Sequence, residues 1–152
     1  MTADLTGDAL AAACASAMFA RDRAAQSLGM IVEEAREGYA RVRMPIREDM
    51  VNGHAIAHGG MIFTLADTAF AYACNSRNVP YVALQVSISF TAPGRLGETL
   101  VAEGREITLA GRTGVYDISV RTESGTPVAL FRGTCYRIRG TVIDDPVPVP
   151  AT

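Results

Sequence analysis

Hydrophobic and polar positions alternate through most of the second half of the chain. Four runs rich in Val, Ile, Thr, Tyr and Phe are separated by turn residues, of which Pro93-Gly94 and Ser124-Gly125 are the clearest. The runs occupy residues 81–92, 98–109, 113–122 and 127–138. Alternation with a period of two is typical of strands with one buried face, and turns this short join antiparallel neighbours. The second half therefore predicts four antiparallel strands.

The first half of the chain adds a helix and two further strands. Residues 8 to about 28 are rich in alanine, follow the possible capping residues Thr6 and Asp8, and predict one helix. Residues 30–35 and 39–46 predict strands, because apolar side chains occupy every second position of the latter. With the four later runs, they make a sheet of five to six strands.

The longest apolar segment predicts a single central helix. It runs from Met61 to about Asn75, and Asp67 is the only charged residue between Gly59 and its end. A helix that is apolar on nearly every side must be buried on every side. We therefore predict an α+β fold in which an antiparallel sheet wraps around this one long helix. Such a sheet has open edges, so a second subunit is expected to cover them.

Composition and charge exclude several classes of function. The formal net charge is -2 and all 14 basic residues are arginine, which predicts neither a nucleic-acid surface nor a Schiff-base lysine. The three cysteines are far apart, as in a protein with reduced thiols. The chain does not begin like a secretory signal, and the apolar helix is too short to span a bilayer. These features predict a cytoplasmic protein without membrane association.

The chain has a length suited to one domain. We predict that residues 1–140 form this domain, beginning with the N-terminal helix. Residues 141–152 contain three closely spaced prolines after Asp144, and they predict a flexible tail.

Asp67 is the first candidate for chemistry, because a carboxylate in an apolar helix is unfavourable unless it is paired or partly solvated. Two interpretations remain open: a structural ion pair with a strand arginine such as Arg132, or a catalytic acid. The chain has no GxSxG motif, and Cys74 has no basic neighbour close in sequence. In a catalytic site the carboxylate would therefore act alone, as general base on water or as nucleophile.

The start of the helix is the second candidate. His58 precedes Gly59 and Gly60, which let a ligand approach the backbone, and the first amides of a helix are unpaired donors able to polarise a carbonyl. Alternatively, the glycines serve only the turn into the helix. Asn52 is suited to orienting water or a carbonyl, or to an ordinary turn. The spacing of His54 and His58 lacks a glutamate and a third ligand, so we predict no metal site.

The spacing of the two candidates predicts how the protein assembles. Eight positions separate Gly59 from Asp67, about 12 Å along an ideal helix. Both groups therefore cannot contact one reacting carbonyl from the same helix. If both act on one substrate, they belong to two subunits and the site lies at their interface.

These residues resemble a known family. The motif is similar to that of the acyl-CoA thioesterases of the hotdog fold, and it consists of Asn52, His58, Gly59, Gly60 and Asp67. Three longer segments, at residues 65–76, 113–118 and 128–133, resemble the phenylacetic acid degradation (PaaI-type) thioesterases more specifically. The similarity covers nearly the whole predicted domain.

The resemblance implies an activity and an assembly. Members hydrolyse aryl-acetyl-CoA thioesters, often ring-hydroxylated ones, in phenylacetate catabolism, typically as homotetramers of two hotdog dimers. By position, the Gly59 amide would polarise the thioester carbonyl, while His58 and Asn52 would hold the site, Asn52 near the attacking water. Asp67 of the partner subunit would be base or nucleophile. No cofactor is implied, because coenzyme A is part of the substrate.

Further substrate contacts are expected near the motif. Gly60 and Thr68 adjoin the two reactive groups. Coenzyme A carries phosphates, and a chain without lysine must bind them with arginine or backbone amides. Arg95, Arg112 and Arg139 lie at predicted loops or strand ends and are candidates, although arginines at such positions are more often solvated surface residues.

Other expectations concern the surroundings of the acid. Some related thioesterases have a Ser or Thr on the strand after the helix that assists the attacking water. The corresponding position here is Ala83, so we predict no such helper, although Ser87 and Ser89 follow nearby. Candidates for an aromatic acyl pocket, which suit a plain core as well, are Met61, Phe63, Phe70 and Tyr72.

Two alternative functions share the predicted fold. One is an acyl-thioester dehydratase or hydratase that uses a histidine, such as His54, with Asp67; the chain lacks the proline-rich context of that histidine. The other is a non-catalytic acyl-CoA-binding regulator. The presence of Asp67 counts against a regulator, because binding alone does not need the acid.

Overall fold

The computed structural model describes residues 5–144 as six strands and three helices. The helices are α1 (Gly7–Arg21), α2 (Arg23–Ser27) and α3 (Gly59–Cys74). The strands are β1 (Ile31–Arg36), β2 (Tyr39–Pro45), β3 (Tyr81–Phe90), β4 (Thr99–Ala110), β5 (Thr113–Thr122) and β6 (Pro127–Arg137). A single 3-10 turn, Glu48–Met50, lies between β2 and α3.

The strands form one antiparallel sheet in the order β1-β2-β4-β5-β6-β3. The edges of this sheet are β1 and β3, and α1 packs against β1. The sheet curves around α3, which contacts all six strands. This arrangement confirms the prediction of an antiparallel sheet wrapped around one long helix.

Small residues in the sheet allow α3 to approach closely. Leu65, Ala66 and Ala69 of α3 are completely buried against the inner face. A Cβ atom at Gly133 would lie 2.8 Å from two ring carbons of Phe70, nearer than van der Waals contact allows. The absence of a side chain at this position of β6 therefore sets how deeply the central helix sits in the sheet.

The predicted N-terminal helix is interrupted, which corrects the expectation of one helix to about Leu28. Asp22 lies between α1 and α2, and its Oδ1 accepts a hydrogen bond from the Ala25 amide, which starts a new helix. Its Oδ2 accepts from the Tyr72 hydroxyl on α3 at 3.2 Å. The break is therefore stabilised by a contact between distant parts of the chain.

The C-terminal segment also differs from expectation over residues 141–144. Within the predicted flexible tail, Val142 is only 7% exposed. Asn78 and Arg21 hydrogen-bond to this segment and hold it against the domain. The remainder of the predicted tail, residues 145–152, lies outside the described residues.

Among the helices of residues 5–144, none is long and apolar enough to cross a membrane.

Candidate active site

The N-terminus of α3 is built by His58. Its Nδ1 accepts a hydrogen bond of 3.0 Å from the Gly60 amide, so the imidazole caps the helix. Its own amide donates to the carbonyl of Met50 at 2.8 Å, which attaches the loop to the turn after β2. This capping starts α3 at Gly59, two residues before the predicted start at Met61. The predicted binding amide of Gly60 is engaged by the cap.

Gly59 presents the amide that the cap leaves available. Within residues 5–144 its N–H has no acceptor, as expected for the first residue of a helix. A Cβ atom at Gly59 would lie 3.2 Å from Cζ of Phe90, so the phenyl ring covers this position from the end of β3. An unpaired amide can donate a hydrogen bond to a carbonyl oxygen, and the phenyl ring beside it partly excludes water from that position.

Asn52 organises the loop that precedes the helix. Its Oδ1 accepts from the His54 amide at 2.9 Å and more weakly from the Ile56 amide at 3.4 Å. The side-chain NH₂ has no acceptor within the described chain. Asn52, Gly59 and Phe90 line one cleft of about 410 Å³, so the structure brings the predicted amide and the predicted loop residue together.

Asp67 is half-buried in the middle of α3. Burial raises the pKa of its carboxyl above the ordinary value, and no group in residues 5–144 hydrogen-bonds to it or pairs with it. The alternative of an ion pair with Arg132 is wrong. Arg132 instead holds Asp117 through two hydrogen bonds of 2.6 and 2.7 Å, because both side chains point to the outer face of neighbouring strands.

A second cleft, of about 530 Å³, contains Asp67. Its walls come from α1, α3, the start of β3 and the C-terminal segment. They are formed by Met18, Arg21, Asp67, Phe70, Ala71, Cys74, Asn75, Pro80, Tyr81, Val82, Ala83, Thr141, Val142 and Asp144. The lining is mainly apolar, and Asp67 is the acid that α3 contributes.

The two clefts share no residue, so one protomer does not bring Gly59 and Asp67 to one reaction centre. The edge strand β3 lies between them, with Tyr81 in the cleft of Asp67 and Phe90 in the cleft of Gly59. All ten residues of β3 are uncharged, and Leu84 is 62% exposed. An edge with these properties favours pairing with another strand.

The other predicted substrate contacts lie apart from one another. Thr68 is 9% exposed, donates to the Thr64 carbonyl and does not line the cleft of Asp67. Arg95 is exposed and bridges to Ile56, near the cleft of Gly59. Arg112 lies at the opposite end of the sheet, in a depression with Arg137 and Arg139.

Position 83 is where some related thioesterases have a Ser or Thr helper, and we predicted none here. Ala83 lines the cleft of Asp67 and presents a methyl group to it. Ser87 and Ser89 border a depression on the outer face of the sheet together with Asp117 and Arg132, away from this cleft.

The aromatic residues of α3 have different positions. Phe70 reaches the cleft of Asp67, whereas Phe63 packs edge-on against Phe131 in the core. Tyr72 is 2% exposed, and its hydroxyl is bound to Asp22.

Sequence reasoning missed Phe90, Met18 and Val142 as site residues. The one signal for Phe90 was its position at the end of a strand just before a proline–glycine turn. For the other two the sequence offered no signal, because they reach the cleft from opposite ends of the chain.

A metal centre finds no support in residues 5–144, where no three His, Cys, Asp or Glu side chains are grouped to bind one. His54 is exposed and lines neither cleft.

The amino-acid sequence is similar to those of known thioesterases. The model of the thioesterase superfamily matches residues 54–129, which include Gly59 and Asp67. The acyl-coenzyme A thioesterase PaaI of Escherichia coli (strain K12) is 45% identical over 128 residues. That similarity covers 84% of this chain and 91% of the relative.

Solved structures are similar as well. The E. coli PaaI protein from the phenylacetic acid degradation operon has a TM-score of 0.87 at 44% identity, over 88% of this chain and 97% of that chain. A hypothetical thioesterase from Streptococcus pneumoniae TIGR4, solved with coenzyme A, has a TM-score of 0.69 at 27% identity, over 71% of this chain and 87% of that chain.

Proposed function

The chain belongs to the thioesterase superfamily, and from this premise we propose that it is an acyl-CoA thioesterase of the phenylacetic acid degradation type. The predicted family and the predicted hotdog fold are confirmed by the similarity to E. coli PaaI. The proposed substrates are aryl-acetyl-CoA thioesters, phenylacetyl-CoA or ring-hydroxylated forms of it, and the products are the free acid and CoA. Coenzyme A enters as part of the substrate, and the reaction requires no cofactor.

The observation that carries this proposal is the Asp67 carboxylate, which is half-buried and has no counter-ion in the described chain. A desolvated carboxylate is a stronger base and nucleophile than a solvated one. In the proposed reaction the Gly59 amide donates to the thioester carbonyl oxygen as it gains negative charge. Asp67 either takes a proton from the attacking water or attacks the carbonyl carbon itself, and the CoA thiolate leaves. After direct attack, water hydrolyses the resulting mixed anhydride, which frees the acid and regenerates the carboxylate.

The proposed site is shared between two subunits. Antiparallel pairing of two copies of β3 would place Tyr81 of one subunit beside Phe90 of the other. The cleft of Asp67 would then adjoin the cleft of Gly59 of the partner subunit, and each dimer would contain two complete sites. Two such dimers would form the proposed tetramer.

The same pairing supports roles for the arginines. Arg95 lies at the Gly59 end of a protomer, and Arg112 lies at the opposite end, nearer Tyr81. In a dimer paired through β3, Arg95 of one subunit and Arg112 of the partner would approach the same site entrance. Two guanidinium groups in that position suit the phosphates of CoA.

Release of free thiol tests the proposed activity. We expect the protein to release CoA from phenylacetyl-CoA faster than from acetyl-CoA, measured with a thiol reagent. The free acid should appear in an equal amount. Hydration of an enoyl-CoA, or binding of phenylacetyl-CoA without CoA release, would contradict the proposal and would favour the dehydratase or the regulator.

Subunit mixing tests the shared site. Asp67→Asn and Gly59→Pro subunits are expected to be nearly inactive alone, but a refolded equimolar mixture should recover about one quarter of wild-type activity. Half of randomly formed dimers are mixed, and each has one intact site. The control is the same two proteins combined without dissociation. If each subunit held a complete site of its own, refolding together would restore nothing.

A further inference from the structure

The cleft of Asp67 is closed on one side by parts of the chain outside the thioesterase family match. The matched residues, 54–129, supply Asp67 and the walls from α3 and β3. The remaining wall comes from Met18 and Arg21 of α1 and from Val142 with its neighbours. The shape of this side of the cleft therefore depends on residues other than those proposed to carry out the reaction.

Two side chains hold residues 141–144 as a short strap. The Asn78 Oδ1 accepts from the amides of Val142 and Ile143 at 2.9 and 2.8 Å. Arg21 donates from Nη2 to the Val142 carbonyl at 2.9 Å. Asn78 has a φ of 60°, a left-handed conformation that asparagine adopts more readily than most residues. Three hydrogen bonds to two consecutive residues fix the strap in place.

Three residues of the strap, Thr141, Val142 and Asp144, line the cleft. Val142 is 7% exposed and lines the cleft, whereas the adjacent Ile143 is partly exposed and does not line it. Phe70 and Ala83 contribute further apolar side chains to the same lining. These apolar side chains suit a hydrocarbon acyl group.

We propose that the strap, residues 141–144, is the end wall of the acyl pocket and that Val142 sets the largest acyl group the pocket accepts. Asn78 is a positioning residue that holds this wall. The inference rests on the proposed thioesterase function, because it assigns the cleft of Asp67 to the acyl group.

Substitutions at Val142 test the wall. Val142→Phe should lower kcat/KM for phenylacetyl-CoA by about tenfold or more and change that for acetyl-CoA by less than about twofold, since added bulk acts only on groups that reach the wall. Val142→Ala should raise the ratio of kcat/KM for octanoyl-CoA to that for phenylacetyl-CoA. Ile143→Phe is the matched control and should leave unchanged both this ratio and the ratio of phenylacetyl-CoA to acetyl-CoA. Equal effects on all substrates, or equal effects of the two phenylalanine variants, would overturn the proposal.

Substitutions at Asn78 test whether its hydrogen bonds hold the strap in place. Asn78→Gly keeps the left-handed backbone but removes both side-chain hydrogen bonds, and should raise the octanoyl-to-phenylacetyl ratio of kcat/KM by about tenfold. Asn78→Asp keeps an acceptor oxygen and should restore the wild-type ratio. A ratio cancels any change in the amount of folded protein. An unchanged ratio in Asn78→Gly would refute the role of Asn78 in positioning the strap.

Equilibrium binding separates this inference from the proposed reaction. Phenylacetyl-CoA is titrated into Asp67→Asn protein with and without Val142→Phe. Weaker binding with the added phenylalanine supports the wall even if wild-type protein releases no CoA, in which case only the proposed reaction fails. Equal binding refutes the wall while leaving the reaction intact, and no binding at all refutes both.

Discussion

Replacing Asp67 by asparagine is expected to lower kcat for phenylacetyl-CoA by about 10²- to 10⁴-fold. Asparagine has nearly the same volume but can neither accept the proton of water nor attack the thioester. Asp117→Asn is the matched control, because it makes the same chemical change on the outer face of the sheet. Thiol release should be close to wild type in the control. Near wild-type turnover in Asp67→Asn would refute the proposed mechanism.

Asp67→Asn is expected to stabilise the folded protein at neutral pH, although it lowers activity. Burial raises the pKa of Asp67 in the folded state, so folding favours the protonated form. That contribution is present below the unfolded-state pKa and is lost as pH rises through the higher folded-state pKa. At neutral pH, asparagine therefore removes a penalty. The free energy of unfolding at neutral pH, measured by urea titration, should be higher than that of the wild type, and the difference should disappear at acidic pH.

The raised pKa also predicts the pH dependence of the wild-type enzyme. Because the ionised carboxylate is the reactive form, kcat/KM should fall as pH decreases through the pKa of Asp67. That fall should occur above the ordinary aspartate value of about 3.9. An acid limb at or below the ordinary value would contradict the proposed desolvation of this group.

Replacing Gly59 by proline is expected to lower kcat by about 10²- to 10³-fold, the usual effect of removing one oxyanion donor. Proline removes the N–H but is favoured at the first position of a helix. The preceding residue, His58, already has the extended conformation that proline requires, with φ of −60° and ψ of 135°. The substitution therefore removes the donor while preserving the start of α3.

The matched control for this prediction is Gly59→Ala. Alanine places a similar Cβ near the Phe90 ring, 3.2 Å from Cζ, but keeps the amide. We expect its kcat to remain within about tenfold of wild type, because the exposed ring of Phe90 can move by a few tenths of an ångström. If alanine and proline reduce kcat equally, the loss comes from crowding and the amide is not the donor.

The sequence determined the approximate bounds of every strand along the chain. The four later strands begin and end within about two residues of the predicted runs, because period-two alternation and turn residues reflect local backbone geometry. Asp67 and Gly59 were also recognisable from the sequence. A lone charge in an apolar helix and a glycine pair at its start are visible without knowing any distant contact.

Only the tertiary structure decided which distant groups meet. The pairing of Arg132 with Asp117 depends on strand register, and the helix break at Asp22 is held in part by Tyr72 from α3. Neither of these could be read from periodicity, since both follow from contacts between segments that meet only after the chain has folded.

The strap is the clearest case of this division. Proline content predicted a flexible tail from residue 141, whereas Asn78, 64 positions away from Val142, holds the first residues of that segment in the wall of the cleft. Local sequence determines secondary structure because backbone sterics and burial patterns act over a few residues. The shape of the pocket instead depends on hydrogen bonds between segments far apart in the chain, and only the folded structure brings those segments together.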